Sequence, residues 1–209
     1  LPPDASGAAR FVNPWQLARE SVPWLHMPFV LHGLDEVKER FFAREKQKRE
    51  LAGLSQAIQT TAKRSIFAVH RDDLETAARL LDEARAAKRE AERVCRAEPA
   101  LEREGVWRAA QEELLEAELL LAMVEGVPAT LPENDPDQAI GACSDAIGEL
   151  VRVLVRDVTR GRLDRVQPLQ ATAQGLLEFL LAFDATGSAR QKVDQARQHV
   201  RKLEDIAYD

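Results

Sequence analysis

The chain has 209 residues, with 29 basic and 35 acidic side chains and a formal net charge of −6 at pH 7. Apolar residues at 45% and charged residues at 31% exclude both a disordered tail and a membrane protein. The acidic total argues against the strongly basic class of nucleic-acid binders, and the 5% aromatic content, with abundant Ala, Leu, Glu and Arg, is that of a helical protein.

Residues 1–33 stand apart as a proline- and tryptophan-bearing arm. They hold Pro2, Pro3, Pro14, Pro23 and Pro28, a density that forbids a long helix, together with Trp15 and Trp24. No charged n-region followed by an apolar h-region is seen there, and the longest apolar run, Leu119 to Val124, is far shorter than a membrane span. The expectation is a cytoplasmic protein, or a nuclear one in a eukaryote, with no membrane partner.

From residue 34 to the end the expected domain is all-α, a bundle of about six to seven long antiparallel helices. The first helix runs from Leu34 to His70, with Leu51, Leu54, Ile58, Ile66 and Val69 near a 3.6-residue period. A second spans about Asp73 to Arg96. Pro99 opens a third, from about 100 to 125, which Gly126 and Pro128 close. A loop over 127–135 leads to a fourth helix, roughly 136–160, ending at Gly161. A fifth covers about 164–183, and Gly187-Ser188 starts a last helix to Ala207. Cys95 and Cys143 fall inside helical patterns without CxxC spacing and are expected to be buried free thiols.

Two acidic clusters interrupt otherwise apolar helices. The third helix carries Glu113 and Glu116, the fourth Asp145 and Glu149. Residues three or four apart share a helix face, about 5–6 Å between Cβ atoms, and sequential helices joined by a short loop pack antiparallel. Four carboxylates then converge, an arrangement that repels itself or takes up protons unless a cation relieves it. Mg²⁺ or Mn²⁺, hard ions that take carboxylate and water oxygens, fit such a cluster. Spacing alone leaves open that both pairs face solvent or pair with Arg108, Arg152 or Arg156. A ferritin-like di-iron site is excluded, because it needs Glu-x-x-His, and Pro23, Phe29, Phe67 and Ala196 stand three residues before His26, His32, His70 and His199. There is no Gly-rich phosphate loop and no GxSxG elbow.

Several segments bear a family resemblance. Leu54-Ser55-Gln56-Ala57-Ile58 and Ala62-Lys63-Arg64-Ser65-Ile66-Phe67-Ala68-Val69-His70-Arg71 are similar to the "LSRDI" and "SKRxIFxLHR" segments of the TRAX (translin-associated factor X) branch of the translin family. Glu113-Leu114-Leu115-Glu116-Ala117 resembles its E-x-x-E-A. Ile140 to Arg152, containing Asp145 and Glu149, resembles its "GVADLTGELMR" block, followed by the Val158-Thr159-Arg160-Gly161 turn. The segment from Val200 to Tyr208 resembles the "KVExxxY" ending. The chain departs from the pattern at Gln56, Ala57, Ala62, Ala146 and Ile147, none of them a proposed ligand.

The resemblance covers roughly residues 35–209 and implies a Mg²⁺-dependent endoribonuclease acting on single-stranded or nicked RNA. In that reading Glu113, Glu116, Asp145 and Glu149 form the catalytic and metal site, because translin-type members keep only the last of these acids. It also implies a hollow octamer, either of one chain type or with a translin-type subunit. Candidate phosphate contacts lie on the long helix at Arg40, Arg44, Lys48, Arg49, Lys63, Arg64 and Arg71, each weighed against a surface ion pair with Glu36, Glu39, Glu45 or Glu50. Lys63 and Arg64 have no acid one turn away. Two alternatives stand beside this reading. One is a non-catalytic translin-type scaffold that binds single-stranded RNA or DNA. The other is a helical Mg²⁺-dependent nucleoside-triphosphate pyrophosphatase, against which the Asp-x-x-x-Glu spacing counts. The net charge of −6 does not forbid RNA, since binding needs a local basic lining rather than a basic total. Such binding is expected to weaken steeply with salt despite the acidic total, as retention on a labelled strand at rising ionic strength will report.

Overall fold

The computed structural model describes residues 32–133 and 135–208, with side chains described as far as Lys202. The expected arm therefore lies outside the described residues up to residue 31. The chain divides into two compact units, residues 1–42 and 43–209. Of the first, the described part is the opening of the long helix, where Leu34, Val37 and Phe41 are exposed.

Among the described residues six α-helices follow in order: α1 Leu34–His70, α2 Leu74–Ala97, α3 Gly105–Glu125, α4 Pro136–Thr159, α5 Leu163–Leu181 and α6 Gly187–Tyr208. No strand occurs among the described residues. Local chemistry sets most ends. Asp73 Oδ1 accepts from Thr76 N at 3.1 Å to cap α2, and Asp135 Oδ1 accepts from Gln138 N at 3.1 Å ahead of Pro136 at the first position of α4. Gly126, left-handed at φ 70°, closes α3 as a residue without Cβ does best. The expected third helix is corrected in one respect. Pro99–Arg103 form a separate 3₁₀ turn, and Glu104 is extended (φ −65°, ψ 128°). That turn carries Leu101 to full burial, a placement a continuous helix from residue 100 would not provide.

Helix α4 is the centre of the 43–209 unit, packing against α3, α5 and α6. Its Ala142, Ala146, Ile147, Leu150, Val153 and Leu154 are fully buried. Leu51 and Ile58 of α1, Leu80 and Leu81 of α2 and Leu114 and Leu120 of α3 join the same core, each worth about 1.5–3 kcal/mol of removed apolar surface. Both cysteines are buried and free, as expected.

One polar cluster ties the end of α1 to α4 and α5. Asp157, fully buried, accepts from Arg156 at 2.7 Å and pairs with Arg162. Arg156 Nη1 donates to the carbonyls of Val69 at 2.7 Å and His70 at 2.9 Å. Asp72, in the α1–α2 turn at φ 70°, takes Arg156, Arg162 and Arg165. Aspartate is among the few L-residues that tolerate this left-handed backbone, and here its carboxylate gains three guanidinium partners. These bonds fix the last turn of α1, and with it the direction of the His70 side chain.

Candidate active site

Helix α3 holds Glu113 and Glu116 beside buried Leu114, Leu115 and Ala117, and α4 holds Asp145 and Glu149 beside buried Ala146, Ile147 and Leu150. The packing of α3 on α4 places Glu113, Asp145 and Glu149 near enough for their charges to act on Glu116. Their mutual repulsion is felt most at Glu116, whose carboxyl is pushed up to about 8. Burial is the largest cause, and the charges of Glu113, Asp145 and Glu149 add to it. Burial likewise raises Glu113, with help from Asp145 and Glu149 and against the pull of Lys63. Glu149 goes the other way: burial opposes ionisation, but the His70 hydrogen bond and Arg152 outweigh it and hold the carboxyl below its ordinary value.

Hydrogen-bond and ion-pair partners explain the difference. His70 Nε2 lies 2.6 Å from Glu149 Oε2, and Arg152 Nη1 donates to Glu149 Oε1 at 2.6 Å. Lys63 Nζ is 3.5 Å from Glu113 Oε2. Lys192 of α6 donates to Asp145 Oδ2 at 2.7 Å and also pairs with Glu112. Burial works against the Lys192 ammonium, yet Asp145 and Glu112 outweigh it and raise its pKa. Glu116 alone of the four has no hydrogen bond or ion pair among the described residues. A cleft of about 170 Å³ opens over the site, lined by Glu116, Asp145, Glu149, Arg152, Gln195 and His199.

The donor set suits a hard divalent cation in its chemistry: all-oxygen, partly desolvated and carrying one carboxylate without a counter-charge. Among the described residues no three His, Cys, Asp or Glu side chains converge as ligands of a single ion.

The expected basic lining is dispersed. Lys48 pairs with Glu104 at 3.0 Å and Arg49 donates to the carbonyl of Glu45 at 3.2 Å. Lys63 belongs to the acidic site, where its partner Glu113 comes from another helix rather than from one turn away on its own. Arg44, Arg64 and Arg71 are exposed, Arg71 close to Asp73. Arg40 is exposed in the 1–42 unit. Of the three arginines weighed as partners for the acids, only Arg152 takes that role; Arg108 pairs with Asp135, and Arg156 with Asp157 and Asp72.

Sequence reasoning missed His70, Lys192, His199 and Glu112. A signal for the α6 pair existed. Lys192 and His199 lie seven residues apart, flanking buried Val193, Ala196 and Val200, which places both polar groups at the edge of one packed face. The histidines entered only as a test for di-iron, which looks for a local spacing and not for approach from a distant helix.

No protein-family model matches the chain, and no curated protein does. Solved structures do match. AfC3PO in complex with duplex RNA is similar with a TM-score of 0.74 at 21% identity, over 82% of this chain and 93% of its own. Apo-NeC3PO is similar with a TM-score of 0.74 at 20% identity, over 85% of this chain and 96% of its own. AfC3PO gives a TM-score of 0.76 at 22% identity, over 82% and 93%. At these identities the likeness establishes the fold: the chain has the all-helical, translin-like bundle of the C3PO structures.

Proposed function

We propose that the chain is a TRAX-like, Mg²⁺-dependent endoribonuclease that cleaves single-stranded or nicked RNA inside an octameric shell, built from its own copies or with a translin-type subunit. The observation that carries this reading is Glu116, a carboxyl without an ion pair among the described residues, pushed up to about 8 by burial and by the charges of Glu113, Asp145 and Glu149. The fold shared with C3PO structures, one of them a complex with duplex RNA, supports RNA as the ligand and an assembly as the working form.

Glu113, Glu116 and Asp145 are the residues that would hold Mg²⁺ or Mn²⁺, with Glu149 beside them. Such an ion supplies positive charge to a scissile phosphate and to its leaving oxygen, and eases ionisation of a water. The chain's own groups do the rest. Glu149 stays ionised between His70 and Arg152, so it can ligate, orient a water, or accept a proton. Arg152, with its side chain 67% exposed, lines the same cleft as Gln195 and His199, so donors for a phosphodiester stand beside the acids.

The test is incubation with an internally labelled single-stranded RNA in Mg²⁺, beside Glu113→Ala and Asp145→Ala. Cleavage by the wild type and its loss in both variants is expected. No cleavage, or equal cleavage by all three, defeats the assignment. The second reading, a non-catalytic translin-type scaffold, is favoured by the absence of three converging ligands among the described residues; RNA retention without cleavage would select it.

A further inference from the structure

Helix α6 meets α4 in a matched seven-residue register. On α4, Gly141 and Gly148 lie seven apart with Asp145 midway; on α6, Lys192 and His199 are also seven apart. A Cβ at position 148 would stand 2.6 Å from His199 Nδ1, and one at 141 would stand 3.4 Å from Lys192 Nζ and 2.4 Å from Glu112 Oε1. Both glycines are therefore gaps into which polar side chains from neighbouring helices are seated. The gap at Gly141 gathers Glu112 and Lys192 together, and Lys192 then reaches Asp145 at 2.7 Å.

We propose that Lys192 is a positioning residue, a cation tethered to α6 that holds Asp145 in place and that a divalent ion must displace from it. This inference rests on the proposed cation site. Glu113 is served by Lys63 of α1, and Glu149 by His70 of α1 and Arg152 of its own helix; Asp145 and Glu112 depend on α6 alone. An ammonium and a divalent ion on one carboxylate repel each other, so the same contact that stabilises the cation-free site opposes loading. The internal cation thereby sets a threshold, below which the acids stay assembled around Lys192 and above which Asp145 changes partner.

The experiment compares wild type, Lys192→Met and Lys192→Arg, titrated with MnCl₂ calorimetrically and melted with and without MnCl₂, RNA absent throughout. The expected result is a Mn²⁺ affinity about ten-fold or more higher in Lys192→Met, as removal of a like charge a few ångströms from the ion requires. Lys192→Arg should stay near wild type. Without Mn²⁺ the Met variant should melt lower, and saturating Mn²⁺ should close that gap. If Lys192→Met fails to fold, Lys192→Gln, which keeps a donor toward Asp145 but no charge, takes its place with the same expected gain. A wild type that binds Mn²⁺ no more weakly than the neutral variants overturns this inference alone. No Mn²⁺ uptake by the wild type and by the neutral variants alike defeats the cation site, and the role of Lys192 with it.

Discussion

Glu116→Gln offers a direct measure of what it costs to ionise a buried carboxyl beside three other acids. The substitution keeps the shape of the side chain and removes its charge. Relative to the ordinary value of 4.5, a carboxyl pushed up to about 8 is displaced by about 3.5 pH units. At about 1.36 kcal/mol per unit this sets a ceiling of about 5 kcal/mol on the cost of ionising Glu116 in the fold. Partial solvent contact and relaxation of the neighbouring acids reduce it to about 2–3 kcal/mol. The sign follows from proton counting. Between about 4.5 and 8 the folded chain holds a proton that the unfolded chain has released, so this group's contribution to stability falls as pH rises through that window. Below the window wild type and variant should be alike, and above it the Gln variant should be the more stable. In metal-free buffer at fixed protein concentration, the variant's melting point should match wild type near pH 5 and exceed it by about 5–10 °C near pH 9. A gain of the same size at both pH values, or a loss at the higher one, would refute the claim that burial, with the charges of Glu113, Asp145 and Glu149 added to it, raises Glu116.

Three further outcomes follow from other parts of the fold. Asp157→Ala removes a fully buried anion and should cost about 1–3 kcal/mol in urea unfolding, since Asp72 and the Val69 and His70 carbonyls still hold Arg156. Gly148→Ala should cost about 1–3 kcal/mol by overpacking against His199, and His199→Ala in the same chain should return most of it, a coupling that a double-mutant cycle will read. Cys143, buried and raised to about 11, and Cys95, also raised by burial, should resist alkylation in the native protein near neutral pH and react together on unfolding, as mass spectrometry after a timed thiol label will record.

The helices were legible because their signals are local. Asp73, Pro99, Gly126 and Pro136 act within a turn of themselves, and the apolar period of α4 is visible without knowledge of its neighbours. The four acids were legible for the same reason, since a three- or four-residue spacing on two sequential helices contains its own geometry. What balances their charge was not. Lys63 has no acid within a turn, yet it pairs with Glu113 from α3; His70 fails the Glu-x-x-His test and reaches Glu149 across 79 residues. Lys192 lies 47 residues from Asp145 and 80 from Glu112. The break at Glu104 escaped because it is set by where Leu101 must be buried, a tertiary demand that overrides local helix propensity.

The same long separations bear on how the chain comes to exist. The bonds that orient the end of α1 span 87 residues from Arg156 to Val69 and 93 from Arg165 to Asp72. Closing loops of that length is entropically late, after local helices have formed. On a translating ribosome, α1 through α3 emerge with Glu113 and Glu116 already displayed but with no α4 to complete the cluster and no α6 to deliver Lys192. A nascent chain in that condition presents Glu113 and Glu116 without the partners that α4 and α6 supply to the acidic cluster. Synthesis thus orders assembly, with the Lys192–Asp145 contact made only after α6 has left the exit tunnel.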